Sequence, residues 1–212
     1  NKYICISRPR RFGKSMAGDM LAAYYSRGCD SKEMFSGFKI ASDANFEKHL
    51  NKYNVIHINM LDFIDSRKSI NEAIDYLSRR LIYEIKQENG DVNCFDWNDL
   101  MSVLADVFHE KKVPFIFVID EWDCVFREYK RNTEGQSEYL DFLRRILKGQ
   151  SYIALAYMTG ILPIKKYGKH SALNMFTEIA MTNTREYAEY TGFTEAEVKE
   201  LCEKCDMPFD ET

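Results

Sequence analysis

Five short apolar stretches punctuate the first 181 residues: "YICIS" at 3–7, "VIHINM" at 55–60, "FIFVID" at 115–120, "IALAYM" at 153–158 and "FTEIAM" at 176–181. They are rich in β-branched, aliphatic and aromatic residues and are too short for helices, so they predict buried strands. Between them the apolar period lengthens. Residues 14–27 place Met16, Met20, Leu21, Ala23 and Tyr24 at helical intervals, with Gly28 where a C-terminal cap belongs. Ser69 and Glu72 have the spacing of a capping box, and Ile70, Ile74, Leu77, Leu81 and Ile85 continue the helical face until Gly90. Residues 98–109 carry Met101, Leu104, Val107 and Phe108 on one side. Residues 136–148 carry Tyr139, Phe142, Leu143, Ile146 and Leu147, with Gly149 following.

Strands alternating with helices of this length predict an α/β fold, a mostly parallel sheet with helices on both faces. The unbroken run "FIFVI" fits a strand covered on both sides. The pattern changes after Thr182. There "TREYAEYTGFTEAEVKELCEKC" is helical and polar, with a second capping-box spacing at Thr194 and Glu197. We expect a core domain over 1–183 and the start of a helical lid or second domain over 184–212. The chain begins at Asn1 immediately before a strand and ends just after a new helix, which reads as a piece of something longer.

Composition narrows this little. Apolar residues make up 45% and charged residues 29% of the 212 residues, as in an ordinary globular domain. No apolar run approaches the roughly 18 residues that span a bilayer, so no membrane partner is expected. The net charge of -4 gives the surface as a whole no pull on nucleic acid or anionic lipid, and any basic function must be local. Six scattered cysteines in a chain with this much core need no disulfides, and reduced thiols suit a cytoplasmic location.

The first basic cluster is "SRPRRFGKS", where Arg8, Arg10, Arg11 and Lys14 fall within seven residues around Gly13. Strand, turn, lysine, hydroxyl and helix come in the order a phosphate-binding loop requires. Amides of the turn from Arg8 through Met16, with Pro9 and Phe12 between the basic residues, would converge on an anion. Gly13 would let the main chain approach phosphate, Lys14 would reach the β- and γ-phosphates, and Ser15 would ligate Mg²⁺. Arg8 stands where the usual motif has its first glycine. A solvated basic turn is the plainer alternative.

"VIDEWD" ends the third strand in three carboxylates. Beside a phosphate loop, Asp120 would hold Mg²⁺ and Glu121 would polarise the attacking water, while Asp123 would bind a neighbouring group. Taken alone, this is as readily an acidic turn. Phosphate-loop enzymes with a second acid here usually insert the following strand between the two motif strands, predicting the order 5-1-4-3-2. Thr159 would then face the γ-phosphate as a sensor, unless "TG" only starts a turn.

"SRPRRFGKS", "VIDEWD", "YMTGILPIKKYGKHSALNMFTEIAM" and "YTGFTEAEV", in this order, resemble the bacterial AAA-ATPase-like family. The resemblance covers nearly the whole chain, and arginine in place of the first glycine is typical of the family. It implies a P-loop NTPase sandwich that binds ATP with Mg²⁺, with Lys14, Ser15, Asp120 and Glu121 as its site. It also implies a nuclease-like domain often fused beyond the C-terminus. ATP rather than GTP rests on this resemblance alone, and a homo-oligomer is a further candidate assembly.

Other residues carry weaker signals. Arg144 and Arg145 could act as an arginine finger but more simply flank an apolar face. Lys165, Lys166, Lys169 and His170 form a second basic cluster, by default a solvated loop. Cys202 and Cys205 could be half of a zinc site, but no second pair stands nearby. His57 reads as a hydrogen-bonded core residue. The expected function is therefore Mg²⁺-dependent ATP hydrolysis. The alternatives are a nucleotide-gated switch or scaffold that turns over little by itself and, less favoured by the charge, a nucleic-acid-binding module.

Overall fold

The chain is described by a computed structural model over residues 1–65, 67–164, 172–180 and 193–209. Five strands, β1 (Tyr3–Ser7), β2 (Asn54–Asn59), β3 (Phe115–Asp120), β4 (Ile153–Gly160) and β5 (Thr177–Ala180), form one sheet in the order 2-3-4-1-5. All four pairings are parallel. This is the expected order read from the other edge, with β4 inserted between β1 and β3.

The central strand β3 shows why the sheet is covered on both faces. Phe115, Phe117 and Ile119 enter the larger core, while Ile116 and Val118 enter the opposite one. The larger core is closed by α5 (Ile70–Asn89), α6 (Leu100–Lys111) and α8 (Thr133–Leu147). Each fully buried aliphatic or aromatic side chain of this kind stabilises the fold by about 1.5–3 kcal/mol. The other face is covered by α1 (Lys14–Tyr25), through Ala17, Leu21 and Tyr25. Gly18 sets how closely α1 can lie on the sheet, because a Cβ there would come within 3.1 Å of Val118 Cγ1.

Helix α1 stops at Tyr25, two residues before the expected end, and Gly28 is not its cap. Ser26 turns extended and makes a parallel bridge to Tyr53, while Asn51 Nδ2 donates to Ser26 O at 2.9 Å and Ala23 O at 3.2 Å. A side chain 25 residues onward thus satisfies the helix end that a glycine was expected to close. Short elements that hydrophobic period does not announce fill the connections: α2 (Lys32–Phe35), α3 (Phe46–His49), α4 (Met60–Ile64) and α7 (Cys124–Glu128). Phe35, Phe46 and Leu50 pack with Tyr24 in a satellite cluster.

Side-chain caps explain where several helices start. Ser69 Oγ accepts from Glu72 N at 3.2 Å, but the Glu72 carboxylate turns to Lys68 N rather than completing the box. α8 begins at Thr133, earlier than expected, because Asn132 Oδ1 accepts from Gly135 N at 2.9 Å. The last helix, α9 (Glu195–Lys204), has the full reciprocal box between Thr194 and Glu197. The expected boundary near 184 lies outside the described residues, as do Lys165, Lys166, Lys169 and His170.

His57 is not a core residue. It stands on the edge strand β2 with its side chain one-third exposed, and its Nδ1 lies 3.7 Å from Asp19 Oδ1 on α1. An edge strand is covered less completely than β3, so an apolar-looking run there still leaves a polar position open. Among the described residues no helix is long and apolar enough to cross a membrane, and no group of three or more His, Cys, Asp or Glu could hold a metal ion.

Candidate functional site

Parallel strands deliver their C-terminal ends to one edge, and this edge carries the predicted chemistry. β1 runs into the basic loop, β3 ends at Asp120, and β4 ends at Thr159 and Gly160 between them. Strands neighbour each other at about 4.8 Å, so one intervening strand puts the two motifs about 10 Å apart across the edge. Open parallel sheets bind ligands at such places, where the chain order reverses.

The loop's geometry accounts for its sequence. Arg8 is buried and donates its amide to Gly160 O at 3.1 Å, prolonging the pairing of β1 with β4 by one residue. It is not among the positive-φ residues, so no glycine is required at this first position. The left-handed positions come later, at Arg11 with φ 69° and Gly13 with φ 71°. Such turns direct successive amides into a concavity that suits an anion. A Cβ on Gly13 would meet nothing within 4 Å, so backbone conformation, not space, makes glycine fit there.

Gly13 also caps α1 without any side-chain hydrogen bond, and no acid stands in the first turn. The helix therefore opens toward the loop with its amides unmasked and its positive end unopposed. Lys14 is buried and folds back across the loop, its Nζ donating to Pro9 O at 2.8 Å. Pro9, Arg10, Arg11, Ser15 and Met16 are exposed, and Phe12 is half-buried.

On the far side of the site Asp120 is held in one orientation. Its Oδ1 accepts the Glu121 amide at 2.9 Å and the Thr159 hydroxyl. Its Oδ2 makes no hydrogen bond among the described residues. That arrangement fits a Mg²⁺ ligand, because Mg²⁺ takes one or two carboxylates and completes its shell with water and substrate phosphates. Thr159 is fully buried within β4, paired opposite Ile6, and does not begin a turn. Its single hydroxyl proton goes to Asp120.

Glu121 leaves the strand in the left-handed region, with φ 53°. Its carboxylate pairs with Arg127 of α7. Asp123 is fully buried and its Oδ2 accepts the amides of Ile161 at 3.1 Å and Leu162 at 2.9 Å. A second carboxylate, Glu178 of β5, accepts from Ser7 Oγ at 2.9 Å and from Ile164 N at 2.7 Å. The segment after β4 is thus held on both sides by acids. Burial pushes the Cys124 thiol up to about 12, and burial followed by the Asp120 charge raises the Tyr157 phenol.

Sequence reasoning missed Arg127 and Glu178. Arg127 carried a usable signal, standing four residues after Asp123 where a helix would bring the two together. Glu178 had none, since its partners are distant in sequence. Arg144 and Arg145 lie at the C-terminus of α8, at the opposite edge of the sheet from the loop. There Arg144 pairs with Asp141 and the Arg145 carbonyl accepts from Gln150.

No curated protein matches the chain. Among solved structures it is similar to the Aeropyrum pernix ORC2 protein, determined as ADPNP–ADP complexes, with a TM-score of 0.44 and 11% identity. That match covers 95% of this chain and 44% of the other, so the chain spans less than half the length of that protein. The sequence model of a family described as a predicted AAA-ATPase matches residues 1–169, and the chain belongs to this AAA-ATPase-like family.

Proposed function

We propose that this domain binds ATP with Mg²⁺ at the C-terminal edge of the sheet and hydrolyses its terminal phosphoanhydride. The observation that carries the reading is the meeting of two motifs, about a hundred residues apart in sequence, on neighbouring parts of one edge. One is an amide-lined basic loop with a buried lysine, and the other a pair of acids of which one is rigidly oriented.

Each residue then has a role that its surroundings support. Amides from Arg8 to Met16 cradle the phosphates, Lys14 spreads charge from the β- and γ-phosphates, and exposed Arg10 and Arg11 add positive field. Ser15 and Asp120 are the residues that would hold Mg²⁺, which when bound neutralises charge on the phosphates. Thr159 keeps Asp120 oriented through its hydroxyl, which links the third strand to the fourth at the site. Glu121 takes a proton from water as the water oxygen bonds to the γ-phosphorus, and the bridging electron pair leaves with ADP. α9, within residues 184–212, is read as belonging to a lid or second domain.

The test is phosphate release by wild type and Glu121→Gln at saturating Mg²⁺-ATP. The reading expects release from wild type, and from Glu121→Gln a loss on the order of 100-fold or more with binding retained. Equal trace release from both, with binding intact, would replace hydrolysis by a nucleotide-gated switch.

A further inference from the structure

β3 and its turn bring three carboxylates, Asp120, Glu121 and Asp123, into four consecutive residues. Like charges so close raise one another's energy unless a cation is shared among them. Arg127 supplies it. It sits one turn into α7, and side chains on a helix lean toward its N-terminus, so the guanidinium is carried back over the acidic turn. Its Nε lies 3.4 Å from Asp123 Oδ2, and another of its nitrogens contacts Glu121 Oε2.

Three features set this apart from a surface ion pair. The side chains of Arg127 and Glu121 are only 16% and 19% exposed, so water screens the pair weakly. The far end of the chain of contacts is fixed, because Asp123 is fully buried and anchored by the amides of Ile161 and Leu162. The near end leaves one oxygen open, since Glu121 Oε1 makes no hydrogen bond among the described residues. The planar guanidinium, with Asp123 beside its Nε and Glu121 Oε2 on a terminal nitrogen, sets where the Glu121 carboxylate lies.

On the assignment of Glu121 as the proton acceptor, we propose that Arg127 is its positioning residue. Anchored by Asp123, Arg127 holds Oε2 and presents Oε1 to the attacking water. It acts through Glu121, so it governs turnover rather than affinity.

The experiment compares wild type, Arg127→Gln, Arg127→Lys, Glu121→Gln and the double variant Glu121→Gln/Arg127→Gln. It measures steady-state phosphate release, binding of a non-hydrolysable ATP analogue and thermal stability. Arg127→Gln is expected to lower kcat on the order of 10- to 100-fold, the scale of a misplaced catalytic group. Its KM and analogue affinity stay within about twofold of wild type, the pattern of an interaction that acts only in the chemical step. Arg127→Lys recovers part of the loss, because a flexible ammonium pairs with Oε2 without the guanidinium's rigid geometry. In the Glu121→Gln background, Arg127→Gln has no further effect.

Arg127→Gln turning over at or above the wild-type rate would overturn the proposal, as would losses that multiply with those of Glu121→Gln. Should Arg127→Gln not fold, a folded Arg127→Lys with wild-type kcat overturns it equally. Glu121→Gln turning over like wild type removes the assignment beneath the proposal. That outcome is distinct from an inactive Glu121→Gln beside an active Arg127→Gln.

Discussion

The Thr159 hydroxyl donates to Asp120 Oδ1, joining the penultimate residue of β4 to the last residue of β3 at the carboxylate proposed to hold Mg²⁺. Thr159→Val keeps the shape and removes the donor. Leaving a buried acceptor short of a partner costs about 1–3 kcal/mol, so the melting temperature is expected to fall. The Mg²⁺ concentration needed for half-maximal nucleotide binding should rise. Thermal melting and a Mg²⁺ titration at fixed nucleotide check both halves. A variant that melts and titrates like wild type would show that the bond does not orient Asp120.

Asp123 and Glu121 should respond unequally to mutation. Asp123→Ala strips acceptors from the Ile161 and Leu162 amides and leaves Arg127 without one of its partners. Breaking a buried charged pair from one side costs about 3–5 kcal/mol. Glu121→Gln can still accept from Arg127, so it should cost less, about 1–3 kcal/mol. Chemical denaturation of the two variants separates the acid that builds the turn from the acid proposed to act on water.

Two glycines near the site are needed for different reasons. A Cβ on Gly160 would lie 2.7 Å from both Asp123 Oδ1 and Trp122 Nε1, so Gly160→Ala overpacks the turn and should cost about 1–3 kcal/mol. Gly13→Ala meets no atom within 4 Å, and forcing alanine into φ 71° costs about 1–2 kcal/mol. The Gly13 variant should lose nucleotide affinity disproportionately to its stability, because strain relaxes by deforming the loop. Paired melting and binding curves decide.

Buried thiols give a pH signature. Burial holds the Cys124 thiol at about 12 against an unfolded value of 9.0, and raises Cys5 as well. From 9.0 up to about 12 the folded state keeps a proton that the unfolded state has released, so stability falls as pH rises through this window. At pH 8 alkylation should modify exposed Cys29 and Cys205 and spare Cys5 and Cys124 until the chain unfolds. Mass spectrometry of alkylated peptides reads this directly.

Much of the architecture was legible because burial on both faces leaves an unambiguous mark. β3 reads "FIFVID" in sequence and is buried at every position in the structure. The same rule misled at His57, where the run belongs to an edge strand. Helix ends were less legible, because Asn51 and Asn132 close or open helices through bonds that periodicity does not register. In the proposed site, the loop, Lys14 and the two acids are legible from local spacing. The Arg127–Glu121 pair and the Glu178 anchor depend on how the turn and β5 fold back, which no local pattern encodes.

Calorimetric titration of Mg²⁺-ATP into wild type and into Lys14→Ala tests the central claim most directly. The account predicts one saturable site per chain in wild type and a loss of affinity of at least about tenfold in Lys14→Ala, since that ammonium is the charge carried into the loop. Equal affinity in the two proteins, or no binding by folded wild type, would contradict it.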